Sequence, residues 1–438
     1  MSQIHVGIIG FGTVGAGAFE VLSKNQEMIA SRVGAEVVVK RIADLDIVSD
    51  RGISVAPDAS LWTVDAMDVI RDPEIDVVVE LIGGLETAKS FILEAMKNGK
   101  HVVTANKALL AEHGRDIYRA AEAHEVGLGF EASVGGGIPI IGALKNGLSG
   151  NRIQTCIGIL NGTSNYILTK MSQEDLPFNQ VVKEAVNLGF AEDPPTLDVD
   201  GTDAAHKLAI IISIAFGAPV SFKDIYREGI VTVTPDDIRF ADEFGYGIKL
   251  LAIAKDLGDR IEARVHAAMI PKDHILANVN EAFNAIYLEG DFVGPNLYYG
   301  LGAGRRPTGS AVVSDIIGLA REIRCGSRGR VPPLAHVRSP LREIVIQPME
   351  DLVTPYYFRV SAQDMPGVLS RIAGILADHQ ISISSVIQKG RKQKGPVPIV
   401  MLTHEARESD VQTAISLIDD LDVVAEKTMV IRVEGSQL

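Results

Sequence analysis

The chain has 438 residues, more than one hydrophobic core usually holds, which predicts two or three domains. Hydrophobic residues make up 46% and charged residues 22%, so the whole length can fold, and 42 Lys and Arg against 56 Asp and Glu leave a net charge of −14, which argues against a nucleic-acid or anionic-membrane surface. The two cysteines, Cys156 and Cys325, form no CxxC or Cys/His cluster, which argues against zinc, iron–sulfur sites and a disulfide framework.

A strand begins within three residues of the start, with no leader pattern before it. No apolar run reaches membrane length, so a cytoplasmic protein is expected. The opening segment IHVGIIGFGTVGAGAFEVL reads as a buried strand, a tight turn at Gly10, Gly12 and Gly15, and a helix. Such a loop, here completed by Phe11, Thr13 and Val14, lets the backbone approach a pyrophosphate at the helix N-terminus. Further strand and helix patterns follow at AEVVVKRIAD, IDVVVELIG, KHVVTAN and EVGLGFEA. Alternation of this kind means a parallel sheet with helices on both faces, a Rossmann-type nucleotide-binding domain. Asp44, at the end of the second strand, is placed to accept bonds from ribose hydroxyls, which favours NAD. Lys40, Arg41 and Arg51 lie near enough to keep NADP open, and Asp44 and Asp46 also fit a reading as solvated loop acids.

TANK, residues 104–107, follows the fourth strand and puts Lys107 at the carboxyl edge of the sheet, where open sheets bind ligands. EASVGGGIPII (131–141) combines one acid with bare glycine backbone whose carbonyls fit either a monovalent cation or a tight domain crossing. GILNGTSNYIL (158–168) reads as strand, polar turn and helix. Its turn suits a small polar substrate, or else Asn161 or Thr163 is simply a helix cap.

The most informative stretch is AEDPPTLDVDGTDAAHK (191–207), a run of carboxylates leading into Lys207 and then into the apolar LAIIISIAF. Asp203 and Lys207, four apart, share a helix face. The run behind them is too apolar for a surface helix, so Lys207 is expected near the N-terminus of a helix entering the core. There the helix dipole and desolvation both disfavour its charge, which makes a lysine a usable proton donor and acceptor. The competing reading makes Asp200 an N-cap, Asp203 a capping acid and Lys207 an exposed ion-pair partner. His206 falls on another face and reads as a packed or surface side chain. Cys156, in a strand, reads as core.

VTPDDIRFADEF starts a helix with Thr234 as cap, and strands follow through IEARVHAAMI, EAFNAIYLEG and NLYYGLGAG. The helix of 307–322 is expected to return over the nucleotide domain. Residues 330–355 are proline-rich and lack helical period, which suggests a linker. A βαββαβ pattern then runs from YYFRVSA through a helix from Pro366, ISISSVIQKG, VPIVMLTHEA and a helix from Glu408 to VVAEKTMVIRVE. The basic run KGRKQK lies between two of these strands and reads as a solvated hairpin loop, with no nucleic acid implied.

Taken in order, GxGxxG, TANK, VGGGIPII, NGTSNYIL, AEDPPTLDVDGTDAAHK and GLGAGRRPTGSAVVSD resemble homoserine dehydrogenase over about the first 330 residues. The segment from 356 to 436, with DMPGVLSRIAGILADHQISI, resembles an ACT domain. The resemblance implies NAD- or NADP-dependent interconversion of L-homoserine and L-aspartate 4-semialdehyde in threonine, methionine and isoleucine biosynthesis. Lys207 matches the family's proton-transfer lysine and Lys107 the lysine near the nicotinamide and the reacting oxygen. Glu192 and Asp203 match substrate-holding groups, and Asp198 a further family carboxylate. Glu131, Val134, Gly136 and Ile138 match a monovalent cation (Na or K) site, and Gly302 and Gly304 a glycine segment that returns to the cofactor. Ala43 departs from the arginine that many relatives place before the acid, which puts the grip on a ribose phosphate in doubt. The ACT resemblance implies L-threonine as effector near the Asp364–Leu369 turn, and the family's habit implies a homodimer or homotetramer.

The expected architecture is therefore α/β: residues 1–135 plus about 305–330 as the nucleotide domain, 136–304 as an α+β substrate and oligomerisation domain, 331–355 as linker and 356–438 as a ferredoxin-like ACT domain. Two rivals remain: another amino-acid dehydrogenase such as one acting on aspartate or diaminopimelate, and a non-catalytic nucleotide and amino-acid sensor.

Overall fold

A computed structural model describes residues 2–53, 60–191, 193–217, 219–327, 329–337, 345–389 and 395–435. The chain opens with β1 (Gln3–Ile9), α1 (Thr13–Lys24), α2 (Gln26–Val33) and β2 (Glu36–Ala43). It continues through β3 (Trp62–Thr63), α3 (Ala66–Ile70), β4 (Val77–Glu80), α4 (Glu86–Lys97), β5 (His101–Thr104), α5 (Lys107–Ala123) and β6 (Leu128–Gly129). These strands form a parallel sheet in the order β3-β2-β1-β4-β5-β6. Alternating side chains explain why helices cover both faces. Val6, Ile8, Val77 and Val79 pack with α1 and α2, whereas Ile9, Val78 and Val102 pack with α3, α4 and α5. The two-residue β3, paired to Ile42 and Ala43, makes the strand before TANK the fifth, one more than the sequence pattern suggests. Two residues are too few for periodicity to register.

The central region holds α6 (Ile140–Gly142), β7 (Ile153–Ile159), α7 (Gly162–Glu174), α8 (Phe178–Asn187), α9 (Thr196–Val199) and α10 (Thr202–Ala215). β8 (Tyr226–Arg227), α11 (Pro235–Glu243), β9 (Tyr246–Asp256), β10 (Arg260–Pro271), β11 (Phe283–Gly290) and β12 (Gly294–Leu301) follow. Thr234 caps α11 in a capping box with Asp237, and Pro235 opens the helix. α12 (Arg305–Arg324) then returns to the nucleotide-binding sheet, where Val312, Val313 and Ile316 join the core of α1 and α2. Its approach to α1 is close: a methyl group on Gly17 would lie 2.1 Å from the Arg305 carbonyl oxygen.

The linker adds β13 (Val345–Ile346), which pairs with β10, and β14 (Val353–Thr354). The C-terminal unit comprises β15 (Tyr356–Gln363), α13 (Val368–Asp378), β16 (Ile383–Gln388), β17 (Pro396–Thr403), β18 (Ala406–Arg407), α14 (Glu408–Asp419) and β19 (Met429–Val433). Its first helix starts at Val368 rather than Pro366, because Gly367 takes the cap position at φ 92°. The basic run expected between β16 and β17 falls, beyond Lys389, outside the described residues.

The central and C-terminal sheets are one. Their strand order is β12-β11-β7-β9-β10-β19-β15-β17-β16, joined where Ala268 and Met269 of β10 pair with Arg432 and Val433 of β19. Among the described residues no helix is long and apolar enough to cross a membrane.

Candidate active site

The glycine turn is shaped for an incoming diphosphate. Gly10 has φ 96° and donates its N–H to Ala43 O at 2.8 Å, and a methyl group on Gly15 would lie 2.2 Å from Gly10 O. A methyl group on Gly12, the N-cap of α1, would instead meet nothing within 4 Å. That open side, at a helix N-terminus, fits the diphosphate of a dinucleotide. Phe11 is buried and donates its backbone N–H to Asp44 Oδ2 at 2.5 Å, while Thr13 and Val14 begin α1. Asp44 Oδ1 accepts from Asp46 N at 2.8 Å and lies 3.8 Å from the Arg51 guanidinium. Asp44 is thus fixed against the glycine turn rather than loose in solvent, with an arginine beside it.

α10 carries Asp203 and Lys207. Every residue from Asp203 to Ile214 is buried, as the apolar run requires. Its N-cap is Gly201, at φ 85°, not Asp200; Asp200 instead accepts from Thr202 N at 2.8 Å. Lys207 is 7% exposed, which overturns the reading of it as a solvated partner. Its Nζ donates to Asp203 Oδ2 at 2.7 Å and to Leu160 O at 2.6 Å. Lys107, at the first turn of α5, places its Nζ 2.6 Å from Asp203 Oδ1. One carboxylate therefore joins two ammonium groups from two domains.

Burial lowers the Lys207 pKa, and the nearby Lys107 charge adds to the effect; the Asp203 carboxylate opposes both without cancelling them. For Asp203, burial alone would raise the pKa, but Lys207 and Lys107 outweigh it and hold the carboxyl well below its usual range. Asp198 is raised, by burial first and by the Asp203 charge, while a bond from Asn161 works the other way. His206 stacks edge-on against Phe222 at 4.3 Å between ring centroids, and burial lowers its pKa. Cys156 is buried in β7 and its thiol is pushed up to about 12 by desolvation.

Leu160 and Asn161, between β7 and α7, close the floor. Asn161 Nδ2 donates to Asp198 Oδ1 at 2.7 Å and to Asp203 Oδ2 at 2.9 Å. Thr163, the other cap candidate, gives its hydroxyl to Phe190 O at 2.7 Å. Asn284 of β11 donates to Leu160 O at 2.9 Å, and a methyl group on Gly302 would strike its amide at 2.2 Å. Gly302 thus lies directly on the floor of the site, and Gly304 caps α12 at φ 118°. The sequence pattern does not single out Asn284; its only signal is a polar residue at a fully buried position of β11. Glu192 lies outside the described residues.

At the expected cation position, Glu131 caps the turn that begins at Ile140: its two oxygens accept from Ile141 N and Gly142 N, both at 2.7 Å. Ile138 O accepts from Ile140 N at 2.8 Å. Two of the four groups are therefore already engaged within the chain, and Val134 O and Gly136 O remain as donors beside the left-handed turn of Gly135 and Gly136.

Family models described as "Homoserine dehydrogenase, NAD binding domain" and "Homoserine dehydrogenase" match residues 10–131 and 139–317, and an ACT domain model matches 356–423. The chain is 46% identical to homoserine dehydrogenase of Pseudomonas aeruginosa over 437 residues, covering 99% of each chain. The chain belongs to the homoserine dehydrogenase family. Homoserine dehydrogenase of Neisseria gonorrhoeae is 44% identical over 435 residues, again with 99% of each covered. The crystal structure of the Thiobacillus denitrificans homoserine dehydrogenase superposes with a TM-score of 0.93 at 49% identity and 99% coverage of each chain. A hyperthermophilic archaeal homoserine dehydrogenase mutant in complex with NADPH covers 72% of this chain and 97% of its own, with a TM-score of 0.62 and 28% identity. This chain is accordingly an NAD(P)-dependent oxidoreductase acting on a CH–OH group, with an ACT domain at its C-terminal end.

Proposed function

We propose that the chain interconverts L-homoserine and L-aspartate 4-semialdehyde, with Lys207 moving the proton. The carrying observation is the array in which buried Lys207 and Asp203 meet the half-exposed Lys107 at the carboxyl edge of the nucleotide-binding sheet. A nicotinamide dinucleotide held by the Gly10–Gly15 turn and Asp44 would supply the hydride acceptor for the carbinol carbon in oxidation and the hydride donor for the aldehyde in reduction. In oxidation, neutral Lys207 takes the hydroxyl proton on Nζ; in reduction, its ammonium returns that proton as charge develops on oxygen. Lys107, whose side chain is 43% exposed, is placed to hold the reacting oxygen. Asp203 has both oxygens engaged by the lysines and Asn161, which supports an anchoring part over direct capture of the substrate ammonium. Asp198 uses only Oδ1 among the described residues and is the better acceptor for that ammonium, a part that the family resemblance also gives Glu192. A monovalent cation would rest on the Val134 and Gly136 carbonyls beside Glu131 and Ile138, holding the domain crossing and taking no part in the chemistry.

We further assign the reaction to threonine, methionine and isoleucine biosynthesis in the cytoplasm, a setting in keeping with two free cysteines. L-Threonine at the ACT domain is the expected brake, supported by the continuity of its sheet with that of the central domain. A homodimer or homotetramer through the β12 side is supported by exposed Phe292, Val293, Tyr299 and Leu301 at the sheet's end. Steady-state reduction of NAD and NADP with L-homoserine, with and without L-threonine, tests these assignments together. Turnover that threonine suppresses is expected, and a folded protein that binds cofactor without turnover would overturn the reading.

A further inference from the structure

Asn161 does more than cap a helix. Its Oδ1 accepts from Ser164 N at 2.8 Å and from Ser164 Oγ at 2.6 Å. With the oxygen committed to two donors, the amide nitrogen must face the other way, so the hydrogen-bond network settles the orientation. The two hydrogens on Nδ2 go to two different carboxylates, Asp198 Oδ1 and Asp203 Oδ2. Both hydrogens and both lone pairs of the amide are then occupied, in a residue 5% exposed.

Capping alone does not call for asparagine. Serine, threonine and aspartate satisfy a helix N-terminus about as well. Aspartate would turn an oxygen toward Asp198 and Asp203, and the hydroxyl residues carry a single hydrogen for two acceptors. The position instead matches a neutral donor pair set between two like charges, which otherwise repel in a water-poor site.

Lys207 depends on the same two residues of backbone. Leu160 O, one residue before Asn161, accepts from Lys207 Nζ, and Asn161 binds the carboxylate oxygen that Lys207 also binds. The charged groups that bear on Lys207 among the described residues are Asp203 on its own helix, Lys107 from α5 and Asp198 from α9. From the turn between β7 and α7 it meets the Leu160 carbonyl and, behind that, the Asn284 amide of β11.

We propose that Asn161 is a positioning residue of the reaction, its amide nitrogen fixing the separation of Asp198 and Asp203 and thereby the seat of the Lys207 side chain. The proposal rests on Lys207 being the proton-transfer group. Asn161 itself touches neither substrate nor cofactor in this role; it acts through the two carboxylates.

The test is the pH dependence of oxidative kcat in the wild type and in Asn161→Asp, Asn161→Ser and Ser164→Ala. Asn161→Asp keeps the shape and the acceptor for Ser164 but adds a carboxylate beside Lys207, so the acid limb is expected to move to higher pH by on the order of one unit. Asn161→Ser keeps a capping hydroxyl, and its kcat is expected to fall at least about tenfold with the cofactor KM unchanged. Ser164→Ala touches only the capping oxygen and is expected to lower the melting temperature without moving the limb. A limb unmoved in Asn161→Asp together with near-wild-type kcat in Asn161→Ser would overturn the positioning role and leave the proton-transfer reading standing. If instead the wild type shows no limb, or Lys207→Ala retains it, the reading of Lys207 fails and the proposal with it.

Discussion

Two clusters of buried ion pairs among the described residues use different cations. At the joint between the central and C-terminal domains the buried cations are arginines, and the lysine beside them, Lys255 on Glu434 at 2.6 Å, is 30% exposed. Arg432 of β19 binds Glu408 through two bonds, Nε to Oε2 at 2.8 Å and Nη2 to Oε1 at 2.5 Å, and reaches Glu228 at 2.9 Å. Tyr356 adds its hydroxyl to Glu408 at 2.8 Å, and Arg264 pairs with Glu434 and Glu262. A second contact sets Arg359 on Asp237 at 2.6 Å and Tyr357 on the same carboxylate at 3.0 Å. At the candidate site the cations are lysines, two of them on one carboxylate. Burial acts on both groups, but a guanidinium keeps its charge and its planar geometry, whereas an ammonium gives up its proton more readily. Burial lowers Arg432 too, yet its bonds to Glu408 outweigh it and leave the pKa raised; for Lys207 burial prevails. One cluster is suited to holding two domains in register, the other to changing protonation state during turnover.

This contrast is open to direct attack. Lys207→Arg keeps a cation but not a titratable one, so kcat is expected to fall on the order of 10²–10⁴-fold with cofactor affinity little changed, as steady-state kinetics and cofactor titration would record. At the joint, Arg432→Met leaves Glu408 buried without its partner, and denaturant unfolding should show a loss of about 3–5 kcal/mol. Arg432→Lys should recover only part of that, lacking the two-pronged bond.

The pH dependence follows from the direction at Lys207. Its folded pKa lies below the ordinary lysine value of 10.5, and the proposed oxidation needs it neutral. Oxidative kcat should therefore rise with pH through that lowered pKa, and reductive kcat should fall over the same interval. Profiles that run together, or a flat oxidative profile, would count against a lysine base. The smallest expected effect lies at the ribose end, where Asp44→Ser should shift the kcat/KM ratio toward NADP on the order of tenfold, and Arg51→Ala should shift it back. A ratio unmoved by either variant would remove both residues from cofactor selection.

Much of this was legible in the sequence because it is local. The Gly10–Gly15 turn, the apolar run behind Lys207 and the Thr234 cap each declare themselves within one or two helical turns. Long-range pairing does not. Periodicity tells which face of a strand is buried but not which strand lies beside it, so the insertion of β7 and β9 between β10 and β11, and the joining of β19 to β10, had no local sign. Glu131 shows a related limit: an acid beside glycines fits a cation site and a helix cap equally well until the Ile141 and Gly142 N–H groups are placed. At Asn161 the capping signal reported the oxygen and was silent about the nitrogen, which meets carboxylates 37 and 42 residues away.

The most direct measurement is oxidative kcat of Lys207→Ala with L-homoserine, without and then with small primary amines of graded basicity. A fall on the order of 10²–10⁴-fold is expected, partly restored by amines in proportion to their basicity and with cofactor binding intact. A variant that keeps most of its turnover with no amine present would contradict the account.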